Sequence, residues 1–483
     1  MNSDTEKTEE TADNINSREA VHEVVKKGKP RHGSHEIDMT NGPLFGKMML
    51  FTFPLMITAL LQLIFNAADM IVAGRYSPNG AASISAIGST LAVINLVIAL
   101  VTGCSIGTNV VVAEHIGAQK PKQVSRSVHT SITFSLLLGI ALGLFGILIS
   151  RPVLTRMGTP EEVLPLALLY IRIYFAGLPV LSLYNFGSGV LRAIGDTRRP
   201  MIYLLIAGIL NVIMNLFFVI VMNLDVAGVA LATTLSQCLS AALVIGSLIR
   251  AKESYHFSPR QMGIDISTLK KIIHVGVPAG FQTALFSLSN ILIQSSINSF
   301  GVTVIAGNSA AQSIGTFVNT ASQSTGHAAT TFASQNYGAR KFDRINRVLW
   351  TSLAVTTLLS LLLGVPATVF GRQFLGIYTT DQGAIEAGLI RMLYMCLPHF
   401  IGGWMNAACG VLRGIGYEVL PMIVSLVGAC GLRILWIYTV FAAFPTLPVL
   451  YVSYPVTWLI TGGVHMICFF LLRKKAYEVR GRR

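Results

Sequence analysis

Twelve long apolar segments follow one another along the chain, and they constrain its fold more than any other feature. Their approximate bounds are 47–73, 84–113, 127–149, 163–193, 200–222, 226–249, 271–298, 303–333, 348–370, 387–412, 420–442 and 449–472. A helix rises about 1.5 Å per residue, so most of these segments are long enough to cross a hydrocarbon core about 30 Å thick. Of the 483 residues, 52% are hydrophobic and only 12% are charged, which is outside the range of soluble domains. We therefore predict an all-α membrane protein with twelve transmembrane helices, of which the fourth, around Pro179, and the tenth, around Pro398, are the least regular.

Lysine and arginine positions predict the orientation of these helices. With the N-terminus inside, 29 of the 36 basic residues fall on the inner side, four fall in outer loops and three fall within spans. Because positively charged loops remain cytoplasmic, we expect a multi-pass protein of the plasma membrane with both termini in the cytoplasm. The net charge of +14 follows from this bias, so we expect the lipid bilayer, and no nucleic acid, as a partner.

An internal repeat divides the chain into two halves. Residues 189–202 read GVLRAIGDTRRPMI and residues 410–423 read GVLRGIGYEVLPMI, with nine identities in fourteen positions. The same or a similar spacing pairs other positions: Gly117 with Gly338, Pro54 with Pro278, and Arg172 with Arg391. Because each copy holds six spans, an even number, both copies have the same orientation and predict two pseudo-symmetric six-helix bundles with a cleft between them. Such a cleft is typical of transporters, although a duplication that only enlarges a structural bundle is the alternative.

The repeat and the polar segments predict the domain organisation. We expect a disordered cytoplasmic extension over 1–42, an N-lobe over 43–250, a cytoplasmic linker over 251–270, a C-lobe over 271–472 and a basic cytoplasmic tail over 473–483. The extension is polar and nearly free of large apolar residues, so that it cannot bury a core. A signal peptide is not expected, because the first apolar run begins only near Met48 and no small-residue cleavage site follows a short apolar core.

One carboxylate, Asp69, lies well inside an uninterrupted apolar span. A charged side chain at this depth costs roughly 2.5–3.5 kcal/mol on insertion scales, so Asp69 should face protein or water and not lipid. Burial favours the neutral form of a carboxyl group, which can ionise when water or a cationic ligand arrives. Asp69 is therefore predicted to be a proton switch.

Polar residues in neighbouring spans are candidate partners of Asp69. They are Asn185, Asn211, Asn215 and Thr233, of which Asn211 and Asn215 are spaced to lie on one helix face. Buried amides offer oxygen to a cation or N–H groups to a carboxylate, although they also hold helices together without any ion traffic. Because Asn215 stands where a second acid would favour Na⁺, we expect H⁺ as the coupling ion and keep Na⁺ at the Asp69 site as the alternative.

Other intramembrane residues have weaker functional interpretations. His327, His399 and His465 lie in spans of the second half and are candidates for proton relays, although packed polar groups are commoner. Arg172 and Arg391 are expected to reach the membrane surface or to pair across a lobe. The six cysteines lie in apolar segments without a metal-binding spacing, so we expect packing, no metal site and no cofactor.

The chain resembles the multidrug and toxic compound extrusion (MATE) transporters over about residues 43–475, especially their DinF-like branch. The resemblance rests on the order and spacing of four motifs: Pro54…Asn66-x-x-Asp69…Gly74, Glu114-x-x-Gly117-Ala118, Gln335-x-x-Gly338-Ala339 and the doubled GVLRxIG…P. It implies a V-shaped pair of bundles and antiport of organic cations or other amphiphiles against H⁺ or Na⁺. By this resemblance, Asp69 matches the acid of the first helix, and Asn185, Asn211 and Thr233 match its polar partners.

In the second half the resemblance implies no acidic site. In the first half, Asn215 matches a position that is an acid in some members. In the second half, Asn406 stands where NorM-like members carry an acid. The seventh span has no acid either, so sodium coupling through the C-lobe is not favoured. We assign Gln282, Asn290 and Asn406 to a cleft in the C-lobe.

The sequence thus predicts a secondary active multidrug exporter that works by alternating access as a monomer. Its expected substrates are small amphiphilic or cationic molecules. The alternative within transport is a lipid-linked oligosaccharide flippase, which requires several cations along the cleft, and only Arg172, Arg391 and Arg433 lie within spans. An intramembrane protease requires two apposed carboxylates or a His/Glu metal cluster, neither of which the sequence contains, so an enzyme is not expected.

Overall fold

Helices make up most of the part that the computed structural model describes, residues 36–77 and 79–482, in which there is no strand. The predicted extension over 1–42 lies, up to residue 35, outside the described residues. The N-lobe holds α1 (Leu44–Tyr76), α2 (Gly80–Gly117), α3 (Pro121–Arg156), α4 (Leu164–Ala176 and Leu178–Ala193), α5 (Arg198–Leu216, continued by a π-turn over Phe217–Val221) and α6 (Asp225–Arg250).

The C-lobe repeats this order of helices. It holds α7 (Ile266–Asn298), α8 (Val302–Gly338), α9 (Phe342–Val369), α10 (Gln382–Met395 and His399–Gly414), α11 (Val419–Phe441, with π-turns over Leu426–Gly431 and Ile437–Phe441) and α12 (Leu447–Arg482). A 3₁₀ turn, Pro259–Gln261, lies between the lobes, and a short helix, Gly371–Gly376, follows α9. The residues predicted to be a separate basic tail continue α12 as far as Arg482.

Nine helices of the described residues are long and apolar enough to cross a membrane, and two bent pairs raise that number to as many as eleven. The bent pairs are α4 and α10, whose segments meet at 45° and 42°. These bends confirm the irregularity predicted at Pro179 and Pro398, because proline lacks the backbone N–H that a continuous helix needs.

Helix α8 completes the twelve spans although it is much more polar than the others. Ser, Thr, Asn, Gln or His occupies 18 of its 37 positions. Of these 37 residues, 21 are buried. Because neighbouring helices cover more than half of α8, most of its polar side chains are available for hydrogen bonds inside the protein.

The first helix of each lobe packs its two halves against different lobes. In the first half of α1, the ring of Phe51 meets that of Phe332 in α8 with centroids 5.7 Å apart. The second half of α1 packs within the N-lobe. Likewise, Val275 in the first half of α7 packs on Val110 of α2, whereas Ile293 in the second half is buried in the C-lobe. The lobes are therefore joined by two equivalent crossings.

Glycines permit the close approach of α2 and α7. A Cβ added at Gly107 would lie 2.2 Å from the carbonyl oxygen of Ile272, and one added at Gly103 would lie 2.3 Å from the backbone nitrogen of Gly280. Such distances are far inside van der Waals contact. The two backbones therefore meet here without any intervening side chain.

A second pair of glycines, one in each lobe, makes two equivalent close contacts with the other lobe. A Cβ at Gly117 would lie 1.9 Å from the carbonyl oxygen of Gln335, and a Cβ at Gly338 would lie 2.0 Å from that of Glu114. Gly117 and Gly338 are equivalent positions of the repeat, as are Glu114 and Gln335. The pair of contacts is what a two-fold axis between parallel repeats produces.

The segment preceding α1 is attached to the C-lobe. Met39 is fully buried in a cluster formed largely by C-lobe residues. Its carbonyl oxygen accepts hydrogen bonds from Asn336 Nδ2 at 3.1 Å and from Arg344 Nε at 3.2 Å. Lys341 Nζ donates to the carbonyl oxygen of Thr40 at 2.9 Å. These contacts place the start of the N-lobe beside the turn between α8 and α9.

Asp38 orders this segment and should make its attachment sensitive to acid. Burial raises the pKa of Asp38, but hydrogen bonds from Asn41 and Thr40, together with the charge of Lys47, lower the pKa further, to about 2. A depressed pKa in the folded state means that the ionised carboxylate stabilises the fold above about pH 4, and that this contribution is lost as the pH falls towards 2.

We expect Asp38→Asn to lower the thermal unfolding temperature at pH 7 by a few degrees. The difference from the natural protein should shrink as the pH falls from about 4 to about 2, since both side chains are then uncharged. Asp343→Asn, a matched loss of one carboxylate in the first turn of α9, serves as the control in thermal melts of the purified protein. A difference that stays constant from pH 7 to pH 2 would contradict this role of Asp38.

Candidate functional site

The carboxylate of Asp69 faces other helices of the N-lobe. Asn215 Nδ2 on α5 donates a hydrogen bond to Asp69 Oδ1 at 2.5 Å, and Thr233 Oγ1 on α6 donates to Asp69 Oδ2 at 3.1 Å. Asp69 lies two turns before the end of α1 at Tyr76. The three helices therefore bring one acid and two hydrogen-bond donors together inside the lobe.

Asn211 extends this group, which we call the N-lobe acid cluster: Asp69, Asn211, Asn215 and Thr233. Asn211 and Asn215 are one helical turn apart on α5 and are both buried. Asn215 Nδ2 also donates to Asn211 Oδ1 at 3.3 Å, and Asn211 Nδ2 donates to Thr233 Oγ1 at 3.4 Å. The α-helix changes to a π-turn at Phe217, two residues after Asn215. Single π-turns inside helices are frequent at functional sites.

One acceptor of the N-lobe acid cluster is unused. Asn215 Oδ1 is buried and has no hydrogen-bond partner among the described residues. A buried polar atom without a partner costs free energy, so it needs a role. A proton on Asp69 would turn one carboxylate oxygen into a donor, for which Asn215 Oδ1 is an adjacent acceptor.

Asn185 does not join this cluster in the structure. Its Nδ2 donates to the carbonyl oxygen of Leu181 in its own helix at 2.9 Å, and the described hydrogen bonds do not connect it to Asp69. The histidines likewise lie elsewhere, in the C-lobe: His399 Nε2 contacts Asn319 Oδ1 at 3.3 Å, and His465 is buried beside Ser425. Spacing along the chain had not distinguished Asn185 from Asn211, because only the helix packing decides which side chain reaches the acid.

The C-lobe contains a cavity with a volume of about 210 Å³. Asn290 and Asn406, two of the three residues assigned to a C-lobe cleft, line this cavity. Gln282 instead lies in a buried group outside its lining, where Nε2 donates to Ser425 Oγ at 2.7 Å and Oε1 accepts a hydrogen bond from Arg413. Two of these three amides therefore share one cavity, and the third accepts a hydrogen bond from Arg413.

Two arginines line the same cavity, and of the two expectations for Arg391 the structure has the pairing within its lobe and not the approach to the membrane surface. Arg391 and Arg433 have exposed fractions of only 6% and 4%. Arg391 Nη1 and Nη2 donate to Asn308 Oδ1 and Gln312 Oε1, each at 2.5 Å. Arg172, the repeat equivalent of Arg391, is exposed. Asn308 and Gln312 were not among the residues predicted from the sequence, although the polar composition of α8 points to them.

Comparison with known proteins identifies the family. The MatE family model matches residues 54–217 and 278–439, which is more than half of the chain and one match for each repeat. The probable multidrug resistance protein YoeA of Bacillus subtilis (strain 168) is 26% identical over 394 residues, which are 80% of this chain and 85% of the relative. A FAD transporter of Shewanella oneidensis (strain MR-1) is 24% identical over 366 residues, which are 74% of this chain and 78% of that protein.

Solved structures share the fold. A crystal structure of MATE in complex with MaL6 has a TM-score of 0.84 at 20% identity and covers 93% of this chain and all of that one. An outward-facing conformation of a multidrug resistance MATE family transporter has a TM-score of 0.83 at 21% identity and covers 94% and 100% of the two chains. With its repeated helices, its two six-helix lobes and a family match in each, this chain belongs to the MATE family of membrane transporters.

Proposed function

We propose that this protein exports small amphiphilic or cationic molecules in exchange for protons that bind Asp69. The observation that carries the proposal is the N-lobe acid cluster, in which one partly buried carboxylate accepts hydrogen bonds from Asn215 and Thr233. Such a carboxylate can hold one positive charge, either a proton or a cationic group, and release it when the other arrives.

The relatives support the substrate class. YoeA of Bacillus subtilis and NorM of Acinetobacter baylyi, which is 27% identical over 388 residues, are both described as probable multidrug resistance proteins. The Shewanella oneidensis relative is described as a FAD transporter, so relatives at this distance differ in cargo. For this chain we therefore assign the coupling step to Asp69 and the choice of cargo to the cavities of the lobes.

Alternating access supplies the mechanism. In the present geometry, two donors stabilise ionised Asp69, and Asn215 Oδ1 is free to accept a hydrogen bond from the protonated acid. Protonation removes the charge that the two donors satisfy, so it changes how α1 packs on α5 and α6. Because the first half of α1 packs on the C-lobe, such a change is transmitted to the contact between the lobes.

Protons fit this cluster better than Na⁺. The N-lobe acid cluster contains one carboxylate and the neutral oxygens of two amides and one hydroxyl, so a bound Na⁺ would have a single charged ligand. The flippase alternative needs several cations along the cleft between the lobes. Arg391 and Arg433 instead line a cavity whose lining residues all come from the C-lobe, and Arg172 is exposed.

The proposal includes the cellular setting. We place the protein in the plasma membrane as a monomer with both termini in the cytoplasm, in accord with the basic residues of its inner loops. It needs no cofactor other than the coupling ion, and we assign it no enzymatic activity.

Efflux from energised vesicles tests the coupling ion. Collapsing the pH gradient should reduce export of a fluorescent organic cation to the background rate, whereas replacing Na⁺ with K⁺ should leave the rate within about twofold, because H⁺ alone carries the exchange. The control is a vesicle without the protein. Export that survives loss of the pH gradient but stops without Na⁺ would refute proton coupling.

A further inference from the structure

We propose that the C-lobe cavity binds the anionic group of an organic solute, a carboxylate or a phosphate, through Arg433 and Arg391. This inference goes beyond the proposed function, since it uses neither Asp69 nor proton coupling. It assigns to the C-lobe a ligand of the opposite charge to that of the N-lobe acid cluster.

The charges of the cavity are all of one sign. Arg391, Arg433 and His399 are its ionisable cationic groups, and the described residues that line it include no Asp or Glu. No ion pair involves either arginine among the described residues. The described carboxylates on the C-lobe helices and their connections lie near helix ends: Asp343, Asp381, Glu386, Glu418 and Glu478.

Two buried guanidinium groups without a carboxylate are costly. A buried charge is normally paired, and leaving it without its partner is strongly destabilising. The repeat allows a comparison with the N-lobe. The spacing that aligns Pro54 with Pro278 places Ile293, a buried apolar residue, at the position equivalent to Asp69. The C-lobe therefore has an apolar residue at the position of the N-lobe acid, and the guanidinium groups of Arg391 and Arg433 are buried in it.

The two arginines differ in how well their donors are satisfied. The guanidinium group of Arg391 donates two short hydrogen bonds, to the side-chain amide oxygens of Asn308 and Gln312. Arg433 has only long ones, at 3.4 Å to Asn290 Oδ1 and at 3.5 Å to Thr457 Oγ1, and its buried Nε has no partner among the described residues. A guanidinium group carries five N–H donors, so Arg433 retains donors for a ligand.

Local backbone and aromatic groups hold Arg433 at the cavity. Its guanidinium carbon lies 4.1 Å from the centre of the Tyr454 ring, a cation–π contact. The α-helical turn that carries Arg433, Leu432–Trp436, lies between the two π-turns of α11. These turns set the direction in which the side chain leaves the helix.

The remaining lining describes the body of the ligand. Phe286, Tyr454 and Trp458 provide aromatic surface, while Asn290 and Asn406 provide amides. An apolar wall with a few convergent polar groups is typical of sites for small organic molecules. Because the planar fork of arginine matches carboxylate and phosphate oxygens, an aromatic acid or an aromatic phosphate ester fits this lining.

Quenching of tryptophan fluorescence tests the proposal, because Trp458 lines the cavity. The purified full-length protein is titrated with 4-nitrobenzoate and with 4-nitrobenzylammonium, a matched cation that carries the same quenching group. We expect saturable quenching by the anion and none by the cation at the same concentrations. Phenyl phosphate should compete with 4-nitrobenzoate, and the ratio of the two affinities assigns the natural ligand to carboxylates or to phosphate esters.

Variants locate the site. Arg433→Gln should raise the Kd for 4-nitrobenzoate at least tenfold, roughly the loss of one charge-assisted contact. Arg433→Lys, which keeps the charge but loses the fork, should have an intermediate Kd and answers the question if the glutamine variant does not fold. The control is Arg172→Gln, the same change at the exposed repeat equivalent of Arg391, which should bind as the natural protein does.

Asp69→Asn separates this proposal from the function proposed above. Binding of 4-nitrobenzoate should be unchanged in this variant even where proton-coupled export is lost, because the two sites lie in different lobes. The anion site is refuted by equal quenching with the cation, by no saturable binding of either anion, or by an unchanged Kd in both Arg433 variants.

Discussion

Asp69→Asn should abolish export while the protein still inserts in the membrane. The amide is nearly the same size as the carboxyl group but cannot exchange a proton near neutral pH, so the coupling step loses its charge change. In a host that lacks its own drug pumps, we expect drug resistance to fall to the level without the protein. In vesicles we expect proton-driven efflux to fall by at least about tenfold.

The matched control for Asp69→Asn is Asn185→Ala in the same lobe. Asn185 was a predicted partner of the acid, but its side chain bonds to Leu181 of its own helix. Its loss should therefore leave efflux within about twofold of the natural rate. Asp69→Asn protein that is made at normal levels and exports at the natural rate would refute the assignment of the acid.

Gly107→Leu should produce the second large effect, because it separates the lobes at a contact where their backbones meet directly. The first atom of any side chain at Gly107 would lie 2.2 Å from the carbonyl oxygen of Ile272 on α7. Backbone cannot yield as a flexible side chain does, so α2 and α7 must move apart. A transporter that cannot close this end cannot complete its cycle, and we expect transport to fall by at least about tenfold.

Gly88→Leu on the same helix is the control. A Cβ at Gly88 meets nothing within 4 Å, so this variant should transport at close to the natural rate. The conformational effect can be read at Thr331, whose Oγ1 donates to Asn109 Oδ1 across the lobes at 2.9 Å. A cysteine at position 331, in a chain without its native cysteines, should react with a water-soluble maleimide only when Gly107 is leucine. Equal reactivity in both backgrounds would contradict a forced separation.

Much of the architecture could be predicted because it depends on local composition. The length of each apolar segment predicts a membrane span, and the recurrence of GVLRxIG…P in the two halves predicts the parallel repeat. The bends of α4 and α10 lie beside Pro179 and Pro398, because proline lacks the backbone N–H that a continuous helix needs. The polar helix α8 was predicted as one of the apolar spans. Its burial by other helices could not be predicted, because burial is not a property of its own sequence.

The site was predicted less completely, because contacts between helices depend on their rotation. Spacing placed Asn211 and Asn215 on one face of α5, and the structure places that face towards Asp69. Nothing in the spacing excluded Asn185, whose helix presents it to Leu181 instead. Arg391 and Arg433 are about forty residues apart in sequence, and only the packing of α10 against α11 and α12 brings them to one cavity.

From the order of its residues alone, this chain was predicted to cross a membrane as two copies of a six-helix unit and to carry one acid inside a span of the first copy. These properties follow from hydropathy, length and repetition, which are read along the chain. Helix packing, in contrast, was needed to show which amides hold that acid and that the first helix of each lobe crosses to the other lobe. It alone brought two unpaired arginines into one cavity, because the direction of a side chain is set by the rotation of whole helices against their neighbours.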